Sequence, residues 1–163
     1  MPQIREHLVS QEYHYVPNIS LENDQYFELN RFKLCSWIFE VCSRFHFRLE
    51  TGFMALNIID RIAGIRTMRI DDFPLLGTTS LFMAAKYEEI RVPCLEDFVH
   101  LLSCKYRISK QAILRLESTL LILLDFRLSY SSPLIFLSAQ AEEMNLSPAV
   151  LEQAEALAKK LTI

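Results

Sequence analysis

Lys86 and Glu117 are the first places in this chain where chemistry could be done. Lys86 follows Ala84 and Ala85 at the end of a small, apolar stretch, and Glu117 interrupts a leucine-rich run that includes Leu116, Leu120 and Leu121. Each taken alone reads as an ordinary surface charge. Taken together they are opposite charges on the two most apolar segments, able to pair with each other or to offer hydrogen bonds to a docked helix. Arg31 and Asp60 form a second combination, and the pattern leaves two readings open: a solvated face, or a buried ion pair joining two helices. Trp37 with Leu34 reads by default as core; exposed, the pair would be a peptide-docking patch.

Catalytic groupings are missing. The glycines stand alone at 52, 64 and 77, so there is no phosphate-cradling loop. His7, His14, His46 and His100 have neither HExxH nor any other close ligand spacing, and no GxSxG occurs. The expectation is a protein that is not an enzyme, with no catalytic residues, no metal and no cofactor. The four cysteines, Cys35, Cys42, Cys94 and Cys104, contain no CxxC pair. Cys35 and Cys42 are separated by about 10 Å along a helix axis, beyond the roughly 7 Å that a disulfide tolerates. Buried, reduced thiols are expected.

The 163 residues suffice for one domain with a real core, or a domain plus a fragment. Apolar residues make up 51% and charged residues 23%, with 3 glycines and 6 prolines, a composition that folds. The net charge of −3 argues against a nucleic-acid surface. No apolar run approaches the ~20 residues of a membrane span, and the first residues lack a signal-peptide apolar region. An intracellular protein, in the nucleus and/or the cytoplasm, is expected, with no nucleic-acid or membrane partner.

Helical periodicity positions these residues, and strand alternation is nearly absent. A short amphipathic helix is predicted near residues 2–14, a longer one over 24–45, and a third over 52–62 that stops near Gly64. The fourth runs over 71–88, with Asp71 and Asp72 favouring its positive end and Pro74 tolerable only in its first turn. Residues 95–102 form a short helix. Ser109 is the expected N-cap of a helix over 110–125 that is apolar nearly all round, and such a helix is buried or covered by a partner. Ser132-Pro133 and Ser147-Pro148 open two more, Ser as cap and Pro at the first helical position being a strong start signal.

With these elements in place the chain resembles a cyclin. Arg31-x-x-Leu34-x-x-Trp37-x-x-Glu40-Val41 is similar to the first-helix motif of the cyclin box. Glu50-Thr51 with Asp60-Arg61 is similar to the second, Ala84-Ala85-Lys86-Tyr87-Glu88-Glu89-Ile90 with Pro93 and Asp97-Phe98 to the third, and Ile113-Leu114-Arg115-Leu116-Glu117 through Leu124-x-Phe126-x-Leu128 to the fifth. The pattern resembles A- and B-type mitotic cyclins, and residues 4–18 look like their N-terminal helix.

The resemblance implies an all-α fold: a five-helix cyclin box over residues 26–128 around a central helix, an N-terminal helix and linker over 1–25, and about two extra helices over 129–163, a truncated second cyclin fold. It implies a regulatory subunit that binds and activates a cyclin-dependent protein kinase, in cell-cycle control, by holding the kinase's αC helix in its active position. The matching kinase-binding positions are Lys86, Tyr87, Glu89, Ile90, Glu117, Leu121, Phe126 and Leu128. It also implies that Arg31 and Asp60 form the structural ion pair. A substrate-docking patch would comprise Leu34, Trp37 and Glu40, weakened because Asn30 and Lys33 stand where the family has Met and an aliphatic residue. Residues 106–110 look about two residues longer than usual, and no Arg-x-x-Leu-x-x-x-x-Asn destruction signal is present, since Tyr13 replaces its asparagine. The competing readings are a cyclin-fold transcription scaffold similar to general transcription factor IIB, and a cyclin that sequesters a kinase without activating it.

Overall fold

The computed structural model describes residues 25–66, 69–103 and 108–162, and every regular element among them is helical. In chain order these are α1 (Gln25–Phe45), α2 (Leu49–Ile65), a 3-10 turn (Ile70–Asp72), α3 (Phe73–Glu88), α4 (Leu95–Ser103), α5 (Lys110–Leu123), α6 (Pro133–Glu143) and α7 (Pro148–Thr162). The expected N-terminal helix lies outside the described residues, as do Tyr106 and Arg107 of the lengthened segment. The chain divides into two compact units, Pro17–Leu128 and one that takes in Ser129–Ile163.

In the first unit α1, α2, α4 and α5 all pack on α3. The composition of α3 fits that central place. From Leu76 to Ala85 every residue is buried, and small or short polar residues let four neighbours approach. Two of its buried hydroxyls are satisfied within the helix, Thr78 Oγ1 donating to the carbonyl of Pro74 and Thr79 Oγ1 to that of Leu75, each at 2.8 Å, while Ser80 Oγ is buried without a hydrogen-bond partner. Buried polar groups left unbonded would be costly. Pro74 sits in the first turn, where its missing N–H is no loss. Asp71 and Asp72 lie in the 3-10 turn rather than in the helix, so their charges precede its positive end.

Close approach explains two glycines. A Cβ built on Gly77 would lie 2.5 Å from Leu34 Cδ1 and 3.4 Å from the Trp37 ring, which fixes where α1 crosses α3. A Cβ on Gly52 would fall 2.6 and 2.9 Å from two carbons of the Phe39 ring and 3.4 Å from Cys42 Sγ. The ring is itself held edge-on against Phe53, centroids 5.4 Å apart, so it has little room to retreat. Gly52→Ala is therefore expected to lower stability by about 1 kcal/mol net, overpacking outweighing the gain in helix propensity. Urea unfolding of the variant checks this.

A second aromatic cluster closes the α3–α4 side. Phe98 is fully buried, stacked on Phe45 at 5.6 Å and met edge-on by Phe82 at 5.2 Å. Such pairs add to the area they bury. Cys35 and Cys42 are buried and outside any disulfide, and burial pushes the Cys35 thiol up to about 11.

Helix ends follow the local chemistry. Ser109 Oγ accepts the Ala112 N–H at 3.1 Å and Ser132 Oγ the Leu134 N–H at 3.1 Å, both as N-caps. The C-terminal end of α5 differs from expectation. The helix stops at Leu123, because Asp125 turns left-handed at φ 53°. The Asp125 N–H then bonds the Ile122 carbonyl, and the Phe126 N–H reaches back to the Leu121 carbonyl at 2.9 Å. This is the Schellman arrangement, and no leucine-periodicity argument could have located it. His46 ends α1 the same way.

Among the described residues the second unit comprises α6 and α7, packed on each other. Leu134 and Ala141 of α6 are buried, whereas Val150 and Leu157 of α7 are exposed.

Candidate functional site

The charged end of α3 and the middle of α5 meet. Lys86 Nζ donates a hydrogen bond to Glu117 Oε1, joining α3 to α5 through two residues 31 positions apart in sequence. Lys86 is in the last turn of α3, where the helix macrodipole favours a cation. Its ammonium also lies 4.5 Å from the centroid of the Phe82 ring one turn earlier, a cation–π contact. The lysine side chain keeps 42% of its surface exposed and the glutamate only 11%. The pair is thus anchored from below by Glu117 and open above at Lys86.

Apolar side chains on these two helices and just beyond their C-terminal ends are left in solvent. Tyr87 is 54% exposed, Ile90 fully exposed, and Phe126 69% exposed, while Leu121 and Leu128 are half-buried. Glu117 and Leu121 lie one turn apart on α5 and share a face. The left-handed turn at Asp125 and Phe126 puts Phe126 beyond the helix end, and Arg61 Nη1 of α2 steadies that turn by donating to the Arg127 carbonyl at 2.6 Å. Two further exposed residues, Leu114 and Ile122 (71%), were not among the expected kinase-binding positions. The signal for them was the all-round apolar pattern of α5, which a fully packed interior does not account for.

Glu89 has work inside the domain. Its Oε1 accepts the Arg48 backbone N–H at 2.8 Å and the Thr51 hydroxyl at 2.5 Å, so it satisfies free donors at the N-terminus of α2. This ties the end of α3 to the start of α2 and fixes the direction in which Tyr87 and Ile90 leave the helix.

Glu88 is its half-buried neighbour. Burial pushes its carboxyl above the usual glutamate range; Arg48 opposes this, and Glu50 and Glu89 add to it. A carboxyl whose folded pKa is raised contributes stability below the unfolded pKa, about 4.3, and loses it as pH rises through the raised value. Glu88→Gln should therefore be more stable than the parent at pH 7, with the difference closing as pH falls below the ordinary glutamate range. Urea midpoints at the two pH values measure it, and an unchanged difference would contradict the assignment.

Arg31 and Asp60 are paired fork to fork. Arg31 Nε donates to Asp60 Oδ1 and Nη2 to Oδ2, both at 2.8 Å, with side chains 28% and 14% exposed. The bond to Asp60 holds the guanidinium still more firmly in its charged form. Two parallel charge-assisted bonds lock α1 to α2 in orientation as well as distance.

On α1, Leu34 is buried under Gly77, Trp37 is half-buried beside it, and Glu40 is exposed. Lys33 is exposed and Asn30 half-buried. Among the described residues no group of three His, Cys, Asp or Glu side chains is arranged to hold a metal ion, and no helix is long and apolar enough to cross a membrane.

Known proteins share this pattern. The family model "Cyclin, N-terminal domain" matches residues 3–129. G2/mitotic-specific cyclin cdc13 of Schizosaccharomyces pombe is 39% identical over 104 residues, 64% of this chain and 21% of the relative. G2/mitotic-specific cyclin-4 of Saccharomyces cerevisiae is 32% identical over 120 residues, 72% of this chain and 26% of the relative. G2/mitotic-specific cyclin S13-7 of Glycine max is 36% identical over 104 residues, 64% of this chain and 40% of the relative. The chain thus spans between about a fifth and two fifths of the length of these relatives. The solved structure of a viral cyclin from herpesvirus saimiri superposes with a TM-score of 0.76 at 16% identity, covering 96% of this chain and 68% of the other, a likeness of fold.

Proposed function

We propose a function from the premise that this chain belongs to the cyclin family. It acts as a non-catalytic regulatory subunit in cell-cycle control, binding a cyclin-dependent protein kinase and switching it on. The observation that carries the proposal is the Lys86–Glu117 hydrogen bond across α3 and α5, with Tyr87, Ile90 and Phe126, at and beyond the ends of those two helices, exposed. An apolar surface with a few oriented polar groups at its centre suits an amphipathic helix laid along it.

The mechanism is a population shift. A kinase holds ATP productively only when the αC glutamate pairs with the strand lysine. A partner that binds the inward αC helix better than the displaced one moves the equilibrium by its differential affinity. Going from 1:99 to 99:1 takes about 5.5 kcal/mol, within reach of a buried apolar contact with two or three charge-assisted hydrogen bonds. Lys86 and Glu117 would bond groups beside αC, and Tyr87, Ile90, Leu121, Phe126 and Leu128 would take its apolar side chains. Glu89 would act by holding the end of α3 against α2 as well as at the contact itself. On α1 the exposed Lys33 would have to be desolvated by an apolar docking peptide, so recruitment of substrates by an Arg-x-Leu motif is weakened.

The test is retention of recombinant cyclin-dependent kinases on the immobilised chain, followed by phosphotransfer to a protein substrate. Retention with stimulated transfer is expected. Retention without stimulation would identify a sequestering partner instead, and salt-sensitive retention of duplex DNA in place of kinase would favour a transcription scaffold.

A further inference from the structure

Tyr87 occupies an unusual position for a tyrosine. It is the penultimate residue of α3, 54% exposed, and followed by Glu88, Glu89 and the fully exposed Ile90. Tyr130, the other tyrosine whose side chain lies among the described residues, has its phenolic oxygen buried. The backbone changes character two residues after Tyr87: Glu88 ends the helix, Glu89 is extended, at φ −98° and ψ 142°, and no helix resumes before Leu95. A protein kinase needs its acceptor hydroxyl exposed and the flanking chain able to enter a groove. Here the tyrosine is more than half exposed, and the chain leaves the helix two residues later, at Glu89.

We propose that Tyr87 is a phosphorylation site whose modification releases this chain from its kinase partner. The proposal rests on the functional reading above. The enzyme would be a separate tyrosine kinase with a basic substrate groove, matched to Glu88, since Glu89 is held by Arg48 and Thr51. The phenolic oxygen attacks the γ-phosphorus of ATP, the bond to the β–γ bridging oxygen breaks, ADP leaves, and the phenolic proton passes to that enzyme's base.

Local electrostatics make the product incompatible with docking. A phosphotyrosine adds a charge of about −1.5 to −2. It would stand at the negative end of the α3 macrodipole, next to Glu88 and Glu89. The nearby cations are committed: Lys86 to Glu117, and Arg48 to Glu50 through Nη2 at 2.9 Å. Exposed Arg91 could reach the phosphate, yet one guanidinium leaves net negative charge. Burying that group under an apolar helix carries a desolvation penalty the unmodified phenol does not have. Occupancy and modification then exclude each other, because a docked kinase covers Tyr87.

The experiment uses the full chain with a recombinant tyrosine kinase and Mg-ATP, peptide mapping by mass spectrometry, and binding to immobilised cyclin-dependent kinase before and after phosphatase treatment. Phosphate is expected on Tyr87 and absent from Tyr130, with prior assembly on the kinase protecting Tyr87. Affinity should fall roughly a hundredfold on modification and return with phosphatase, while the circular dichroism of the modified chain stays helical. An unmodified Tyr87 beside other phosphorylated tyrosines overturns the proposal. So does equal retention of the modified and unmodified chains, which would leave the kinase-binding reading standing. Failure of the unmodified chain to retain any kinase would remove both.

Discussion

Lys86→Ala and Glu117→Ala are each expected to weaken binding to a cognate cyclin-dependent kinase by roughly thirtyfold, about 2 kcal/mol, as residues at the centre of an interface do. The two losses should not add. The side chains are bonded to each other across α3 and α5, so removing either disorganises what the other presents, and the double variant should lose less than the sum. Their effects on folding should differ in a way the burial dictates. Lys86→Ala strands a carboxylate that is only 11% exposed, whereas Glu117→Ala leaves an ammonium that reaches water and still faces the Phe82 ring. Thermal unfolding should therefore fall further for Lys86→Ala than the loss of a surface charge explains. Titration calorimetry with a recombinant kinase gives the affinities. Parent-like binding by both variants would remove these residues from the site.

Asp60→Ala is expected to lower folding stability by about 3 kcal/mol, the lower end of what breaking a buried pair costs, because Arg31 retains some water. The loss comes chiefly from the guanidinium left behind between α1 and α2 with two donors unbonded. An apolar replacement of both partners, Arg31→Met with Asp60→Leu, should therefore be less destabilising than Asp60→Ala alone. Urea unfolding of the three variants separates a structural clamp from a surface pair. A change below about 0.5 kcal/mol for Asp60→Ala would match an exposed bridge.

Much of the architecture was readable before any coordinates. Ser109 and Ser132 announced helix starts because a hydroxyl one residue ahead of an apolar run has backbone donors to satisfy. Small residues through the stretch from Gly77 to Ala85 announced a helix surrounded on all sides, since only short side chains leave room for four neighbours. The end of α5 was not readable. Its leucines continue to Leu124, and the stop is set by a left-handed Asp125 whose cost is met by two capping hydrogen bonds. Glu89 was likewise marked for a partner surface, with no hint that Arg48 and Thr51, some forty positions earlier, would claim its carboxylate.

Residue order alone located the described helices, the serine N-caps Ser109 and Ser132 and the list of charges in apolar company, because these depend on neighbours within a turn or two. Packing alone settled which charges meet, how much water each retains, and which apolar side chains stay outside. Lys86 with Glu117 and Arg31 with Asp60 are separated by 31 and 29 positions. Contacts at that range arise only after helices cross, at angles set by where a glycine such as Gly77 admits its neighbour's side chain.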